Sequence, residues 1–211
     1  MNLILKNIYE YCEKMSTSRS DSLNRLERET NLKTLAPQMI SGQLQGMFFE
    51  MLSKLIQPDM ILEIGTFTGY ATLSLAAGLS ANGKIITIEA NKELKYLSDK
   101  YFSESPYTDK IEAIVGDALD IIPNLSHQFD LVYIDANKKV NLDFFQLVIP
   151  KVKSGGLILV DNVLWSGKVV GEKKDKDTQI IHDFNQAILN DDRVENLVLP
   201  IRDGITMIRK I

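Results

Sequence analysis

The stretch MILEIG at residues 60–65 is the first of five similar segments in the chain. The others are KIITIEA at 84–90, KIEAIVGDA at 110–118, FDLVYIDA at 129–136 and GLILVDN at 156–162. Each is a short run rich in β-branched residues, and the segments between the runs have helical patterns. Near-continuous apolar runs of this kind are typical of parallel strands buried on both faces. The pattern therefore predicts a doubly wound α/β domain.

The two ends of the chain depart from this alternation. Residues 1–57 are predicted to form three helices of the same domain, the second capped by Asp21 and the third ended by Pro58. Their apolar positions are Leu3, Ile4, Ile8, Tyr11, Cys12 and Met15, then Leu23 and Leu26, then Met47, Phe48, Met51, Leu52 and Leu55. A charge run at 173–177 is predicted to be a loop before a helix that begins near Thr178. Residues 194–211 predict an antiparallel hairpin around 202–204. We therefore expect residues 58–211 to form about seven strands, the last antiparallel.

Composition limits the possible partners. The chain has 211 residues, the size of one domain, with 24 Lys+Arg against 28 Asp+Glu and a net charge of −4. The absence of a basic stripe argues against duplex nucleic acid as a partner, and no apolar run reaches the roughly 20 residues that span a bilayer. The single cysteine, Cys12, fits a reducing cytoplasm and excludes a disulfide scaffold.

Acidic residues lie at or near the ends of all five runs. They are Glu63, Glu89, Asp117, Asp135 and Asp161. Each one alone is equally well explained as a helix cap or a turn residue. Because open α/β sheets bind ligands at the carboxyl ends of their strands, the five together predict a site at this edge.

The first turn, EIGTFTGY at 63–70, predicts the type of ligand. Phe67 occupies the position of the second glycine in the dinucleotide fingerprint, and no Gly-Lys-Ser/Thr sequence follows. The turn therefore favours an adenosine ligand without a pyrophosphate. Glu89 is placed for the ribose hydroxyls and Asp117 for the adenine amino group, as S-adenosylmethionine would require. The alternatives are an NAD-dependent oxidoreductase, in which Glu89 binds the NAD ribose, a non-catalytic regulator, and an RNA-directed methyltransferase.

The last two strand ends predict a cation site. Asp135, Asp161 and Asn162 offer hard oxygen ligands, which suit Mg²⁺, with Ca²⁺ or Mn²⁺ as alternatives. Otherwise Asp135 caps the next helix and Asp161-Asn162 forms a turn. Lys138 is either a general base or a solvated lysine. Trp165 either walls an aromatic substrate site or belongs to the core.

At these residues the sequence resembles the cation-dependent, S-adenosylmethionine-dependent O-methyltransferases that include catechol and caffeoyl-CoA O-methyltransferases. The resemblance extends from about Met39 to the end of the chain. It is carried by LEIGTFTGYATLSLA at 62–76, TIEANKE at 87–93, GDALDIIP at 116–123, DLVYIDANK at 130–138, GGLILVDNVLWSG at 155–167 and LPIRDGI at 199–205. The spacing of 26 residues between Asp135 and Asp161 also looks like that of the family.

The resemblance implies a Rossmann-like fold, a small aromatic diol as methyl acceptor and a homodimer. It implies metal ligation by Asp135, Asp161 and Asn162, and a catalytic role for Lys138. With the residues assigned above, the predicted cofactor set is Met39, Ser41, Glu63, Gly65, Thr66, Glu89, Asp117, Ala118 and Asp135. The sequence departs from the family pattern at Ala71, Asn137 and Leu142, where serine, aspartate and tyrosine are common.

Overall fold

The computed structural model describes residues 6–211, so Leu3 and Ile4 of the predicted first helix lie outside the described residues. Three helices come first: α1 (Lys6–Met15), α2 (Asp21–Lys33) and α3 (Gly42–Ile56). The alternating part contains β1 (Met60–Ile64), α4 (Tyr70–Ala76), β2 (Lys84–Glu89), α5 (Lys95–Ser103), β3 (Ile111–Val115), α6 (Ala118–Ile121), β4 (Phe129–Ile134), α7 (Asn141–Val148) and β5 (Val152–Asp161). The chain continues with α8 (Lys176–Leu189), β6 (Val194–Leu199) and β7 (Ile205–Lys210). Within residues 6–211, no helix is long and apolar enough to cross a membrane.

The strands form one sheet in the order β3-β2-β1-β4-β5-β7-β6. Strands β1 to β5 pair in parallel, whereas β7 is antiparallel to both β5 and β6. The strand order reverses between β1 and β4. Doubly wound sheets bind their ligands in the crevice at such a point. The predicted seven-stranded Rossmann-like sheet with an antiparallel last strand and N-terminal helices is confirmed.

Both faces of the sheet are buried. Leu62 and Ile86 pack on one face with α7 and α8, and Ile61 and Ile85 pack on the other with α4. Phe49 of α3 belongs to this second cluster and is fully buried. The N-terminal helices thus share a core with the sheet. The division of the chain at residues 57 and 58 stays a prediction.

Helix α3 buries only part of its predicted apolar stripe, since Phe48 and Leu52 pack partly buried against the second cluster. Its buried residues are Gln45, Gly46, Phe49 and Ser53. Met51 and Leu55 of the predicted stripe are exposed. Small residues let α3 approach α4 closely. A Cβ on Gly46 would lie only 2.6 Å from the Tyr70 ring. The hydroxyl of Ser53 donates a hydrogen bond to the Leu75 carbonyl of α4 at 2.6 Å.

Two predicted helix starts are wrong by one or two residues. Helix α2 is capped by Ser20, whose hydroxyl accepts from the Leu23 N–H, and Asp21 is the first helical residue. Helix α8 is capped by Asp175, whose carboxylate accepts from the Thr178 N–H at 2.8 Å. Because Asp175 belongs to the charge run at 173–177, the helix begins inside that run, at Lys176.

Candidate active site

The register between β4 and β5 brings two predicted metal ligands together. Tyr133 pairs with Leu159 and Ile134 with Val160, an offset of 26 residues that also relates Asp135 to Asp161. The two aspartates therefore lie side by side at the carboxyl ends of adjacent strands. Asn162 follows directly, with a φ of +60°.

Tyr133 connects the two aspartates. Its hydroxyl lies 2.9 Å from Oδ2 of Asp161 and 3.1 Å from Oδ2 of Asp135. Burial raises the pKa of Tyr133 well above its usual value, and the two neighbouring carboxylates raise it further. The phenol therefore stays protonated and can donate a hydrogen bond to a carboxylate.

Lys138 lies on the other side of Asp135. Its ammonium forms an ion pair and a hydrogen bond with Oδ1 of Asp135, and its side chain is only 14% exposed. Burial raises the pKa of Asp135, and the Lys138 charge opposes that rise. The alternative in which Asp135 caps the next helix is wrong. The 3-10 helix Lys138–Val140, which leads into α7, is capped by Asn137, whose side chain accepts from the Lys139 N–H at 3.1 Å.

The first turn is held open by its backbone and fixed to β2. Gly65 and Gly69 have φ values of +101° and +91°, which glycine adopts without steric cost. The Phe67 N–H donates to Oε2 of Glu89 at 2.7 Å, and the Asn91 N–H donates to Oε1 at 2.8 Å. Both oxygens of Glu89 are thus oriented by backbone groups at the end of β2.

Glu63 lies inside the domain and away from the edge of the sheet. It is fully buried, and its Oε2 accepts from the hydroxyls of Thr72 and Thr87. Oε1 has no hydrogen-bond partner among residues 6–211. Burial raises the pKa of Glu63 to about 8, an effect that the two threonine hydroxyls only partly oppose. Glu63 is therefore a neutral acid behind the first turn at pH 7.

A cavity of about 790 Å³ lies at this edge of the sheet. Six residues of the predicted cofactor set line it: Met39, Gly65, Glu89, Asp117, Ala118 and Asp135. Ser41, Glu63 and Thr66 are buried and are not among its lining residues. Asp117 also caps α6 through a 2.9 Å hydrogen bond to the Leu119 N–H, so one of its oxygens is already engaged.

A smaller cavity of about 190 Å³ lies beside Lys138. Trp165 forms part of its wall, together with Ile180 and Ile181 of α8. The segment before Trp165 is fastened to the turn between β6 and β7, since the Leu164 N–H donates to the Asp203 carbonyl at 2.9 Å. Trp165 and Lys138 thus line one pocket, and Lys138 also contacts Asp135.

Backbone strain is concentrated in three connecting segments, and two of the strained residues, Phe67 and Trp165, line the cavities. Six non-glycine residues within residues 6–211 have a positive φ: Gln57, Phe67, Asn162, Trp165, Ser166 and Arg202. All but Gln57 belong to the first turn, to the segment after β5 or to the turn between β6 and β7. Such conformations persist only where the surrounding structure imposes them, and they are common at functional sites.

The donor set fits a hard cation. Within residues 6–211, no group of three or more His, Cys, Asp and Glu side chains is arranged to hold a metal. The candidate set is two carboxylates and the Asn162 amide, which leaves positions for water and acceptor oxygens. Carboxylate and amide oxygens favour Mg²⁺, Ca²⁺ or Mn²⁺ over softer metals.

The sheet order and the cavity at its carboxyl edge define a Rossmann-like methyltransferase fold. A methyltransferase from Podospora anserina, solved with S-adenosylhomocysteine, matches with a TM-score of 0.89 and 27% identity over 97% of this chain and 94% of that chain. The O-methyltransferase TomG from Streptomyces achromogenes, solved with S-adenosylmethionine, matches with a TM-score of 0.88 and 26% identity over 98% of this chain and 99% of that chain.

Sequence similarity identifies the family. The family model described as O-methyltransferase matches residues 13–211. Caffeoyl-CoA O-methyltransferase 1 of Eucalyptus globulus is 37% identical over 185 residues, which cover 82% of this chain and 75% of that protein. The chain therefore belongs to the O-methyltransferase family. This confirms the predicted enzyme class, and the oxidoreductase alternative is wrong.

Three residues at or behind the site were not predicted from the sequence: Tyr133 and Gln45, which contact Asp161, and Arg202, which contacts Gln45. Tyr133 had a usable signal, because residues i and i+2 of a strand share a face and Tyr133 precedes Asp135 by two. Gln45, an amide in an apolar helix, gave only a weak signal. Arg202 gave none, since its proximity to α3 depends on the tertiary structure.

Proposed function

We propose that this chain transfers a methyl group from S-adenosylmethionine to one hydroxyl of a small aromatic vicinal diol, with the assistance of a divalent cation. Mg²⁺ is the first candidate, and Ca²⁺ and Mn²⁺ are the alternatives. The observation that carries the proposal is the pairing of Asp135 and Asp161 across the Tyr133 hydroxyl, at 3.1 Å and 2.9 Å, beside Lys138 and the large cavity.

The large cavity is the proposed site for S-adenosylmethionine, which supplies the methyl group on its sulfonium. Glu89 would accept hydrogen bonds from the ribose, Asp117 and Ala118 would border the adenine, and Gly65 would allow close approach to the backbone. Met39 would close over the methionine end. Glu63 and Thr66, which both hydrogen-bond to Thr87, would support the first turn from behind the wall, and Ser41 would act with Met39 at the methionine end. The ligands of the Podospora and Streptomyces enzymes support this assignment.

Asp135, Asp161 and Asn162 are the proposed metal ligands. A divalent cation bound there supplies positive charge that favours the ionised acceptor hydroxyl. The two carboxylates lie at the ends of rigid neighbouring strands, so their separation is set by the sheet register and not by a loop. This is the arrangement expected for a site that must fix the orientation of a bound acceptor.

Lys138 is the proposed general base. In its neutral form it would take the proton of the acceptor hydroxyl. The acceptor oxygen would then attack the methyl carbon, whose bond to sulfur breaks and releases S-adenosylhomocysteine. Placing the acceptor oxygen next to the methyl carbon can supply about 7–11 kcal/mol of the acceleration in favourable cases. Trp165 would form the aromatic wall of the acceptor pocket that Lys138 also lines.

A homodimer is the proposed assembly. Six large apolar side chains on α1 and α3 are exposed: Ile8, Tyr11, Met15, Met51, Leu55 and Ile56. Exposed apolar surface of this kind is typical of an interface. Light scattering after size exclusion tests the assembly, and we expect Leu55→Glu to shift the mass towards a monomer. A cytoplasmic location stays a prediction.

A methylation assay with matched acceptors tests the proposed reaction. Labelled S-adenosylmethionine would be supplied with catechol, caffeate or a flavonoid diol, in Mg²⁺ or in excess EDTA. We expect transfer to the diols only when metal is present. p-Coumarate, which lacks one of the two hydroxyls of caffeate, is the matched control and should not be methylated. Transfer to RNA, or binding of S-adenosylhomocysteine without any transfer to diols, would contradict the proposal.

Asp161→Ala tests the metal ligands directly. We expect it to abolish metal-dependent methylation while the protein remains folded. Asp143→Ala, which removes an exposed carboxylate on α7, is the control and should behave as the wild type. Full activity of Asp161→Ala in excess EDTA would exclude the metal assignment.

A further inference from the structure

A continuous chain of hydrogen bonds leads from the turn between β6 and β7 to the paired aspartates. Arg202 Nη1 donates to Oε1 of Gln45 at 3.1 Å. Gln45 Nε2 donates to Oδ2 of Asp161 at 2.6 Å and lies 3.3 Å from the Tyr133 hydroxyl. The chain thus joins the turn, α3, β4 and β5, four parts of the fold that are distant in sequence.

The donors and acceptors fix the direction of this chain. Arginine has donors only, so Arg202 must face the oxygen of the Gln45 amide. The two N–H groups of that amide then point towards Asp161 and Tyr133. The Tyr133 hydroxyl accepts from Gln45 and keeps its single proton for a carboxylate. That proton can go to Oδ2 of Asp161 or to Oδ2 of Asp135 but not to both at once, whereas Gln45 donates to Oδ2 of Asp161 in either case.

The chain is sealed from solvent at its inner end and strained at its outer end. Gln45 and Tyr133 are fully buried, and Asp161 is 2% exposed. Arg202 has a φ of +51°, in the left-handed region that favours glycine. Its other guanidinium nitrogen, Nη2, donates to the Gln38 carbonyl at 3.1 Å, so the side chain is held at two points. An arginine with two contacts is thus kept where glycine would be less strained.

We propose that Tyr133, Gln45 and Arg202 are positioning residues that hold Asp161, and through Tyr133 also Asp135, in the orientation that binds the divalent cation. This inference rests on the metal assignment made under the proposed function. Tyr133 brings the carboxylates together, Gln45 fixes the oxygen of Asp161 that faces it, and Arg202 prevents the Gln45 amide from turning over. Groups that orient metal ligands in this way commonly change metal affinity about 10–100-fold when they are removed.

Binding of Mn²⁺ to the full-length protein tests the inference. Calorimetry would give the Kd of Mn²⁺ in the presence of S-adenosylhomocysteine, the Kd of S-adenosylhomocysteine without metal, and Tm would be measured in parallel. We expect Tyr133→Phe and Gln45→Leu each to weaken Mn²⁺ binding about 10–100-fold. Arg202→Gly should weaken it less, in the same direction. In all three variants the affinity for S-adenosylhomocysteine should stay close to that of the wild type.

Two matched variants control for general effects on the fold. Tyr101→Phe removes the hydroxyl of another buried tyrosine, which belongs to the cluster around α5. Gln57→Gly relieves a left-handed residue, with a φ of +50°, at the end of α3. Neither should change the Kd of Mn²⁺. Because Arg202→Gly and Gln57→Gly both remove backbone strain, the Arg202 variant is expected to fold even if a buried substitution does not.

The outcomes separate this inference from the proposed function. Mn²⁺ binding that is equal in the wild type, Tyr133→Phe and Arg202→Gly would overturn the inference and leave the metal assignment intact. Absence of Mn²⁺ binding in the wild type would overturn both. A loss of Mn²⁺ affinity that is matched by an equal loss of S-adenosylhomocysteine affinity would show general damage to the site and would also overturn the inference.

Discussion

Gly65 lies directly against the backbone of Asp135, since a Cβ atom built on Gly65 would lie 2.3 Å from the Asp135 carbonyl oxygen. The contact is part of a backbone junction, in which the Asp135 N–H donates to the Ile64 carbonyl at 2.8 Å and the Gly65 N–H to the Ile88 carbonyl at 2.9 Å. The ends of β1 and β4 therefore position one another. The first turn follows β1, and the proposed metal ligand Asp135 follows β4.

We expect Gly65→Ala to weaken S-adenosylhomocysteine binding strongly and to lower the free energy of unfolding. A φ of +101° alone costs a non-glycine residue about 1–3 kcal/mol, and the contact with Asp135 adds to that cost. Denaturant titration and calorimetry would measure the two effects. Gly155→Ala is the matched control, because it also has a positive φ but its Cβ would meet only Arg209 at 3.7 Å. If both variants bind S-adenosylhomocysteine equally well, the contact with Asp135 is unimportant.

The strand ends could be predicted because the information is local. Apolar runs identify the strands, and parallel strands place their carboxyl ends at one edge, so Glu89, Asp135 and Asp161 followed from the pattern. The pairing of Asp135 with Asp161 needs the register of β4 on β5, which the sequence contains only as a spacing of 26 residues.

The remaining features depend on contacts between distant segments. Gln45 and Arg202 are 157 residues apart, and no local pattern links them. The fully buried positions of α3 could not all be predicted from its apolar stripe, because Gly46 and Ser53 gain their importance only from the close approach of α4. Glu63 was expected at the edge of the sheet, but its side chain points to the threonines behind the first turn.

The buried acid Glu63 predicts a pH dependence of stability. Its pKa is about 8 in the folded protein against a usual value of 4.5, because burial disfavours the ionised form. The folded state therefore holds a proton that the unfolded state has lost between these two pH values. The stability that this group contributes is fully present below pH 4.5 and is lost as the pH rises through 8, at up to about 1.4 kcal/mol per pH unit.

Glu63→Gln should remove this dependence, because the amide is neutral and its oxygen can accept from Thr72 and Thr87. We expect the free energy of unfolding of the variant to rise relative to the wild type as the pH increases from 5 to 8, measured by urea titration at several pH values. Glu112→Gln, on the exposed side of β3, is the control and should keep the wild-type slope. Identical pH slopes for the wild type and Glu63→Gln would mean that Glu63 is ionised in the folded state.

Lys138 and its neighbour Lys139 form a natural pair for testing the base. We expect Lys138→Ala to lower kcat about 10²-fold or more, the usual contribution of a general base, with little change in the Kd of S-adenosylhomocysteine. The loss should shrink at high pH, where the acceptor hydroxyl ionises without help. Lys139→Ala removes a more exposed amine that pairs with Asp177 at 3.0 Å, and it should leave kcat nearly unchanged. A near-wild-type, pH-independent rate for Lys138→Ala would remove Lys138 from the mechanism.

Trp165 should determine how well the acceptor binds. It shares the smaller cavity with Lys138, and aromatic pairs contribute about 0.5–1.5 kcal/mol beyond the burial of their area. We therefore expect Trp165→Ala to raise the KM for a diol acceptor up to about 10-fold, while the Kd of S-adenosylhomocysteine stays unchanged. Trp165→Phe keeps an aromatic ring and should recover most of the loss. The wild type and the two variants would share the strained φ of +47° at position 165. Differences between their KM values therefore report on the side chain. An unchanged KM in Trp165→Ala would place the acceptor elsewhere.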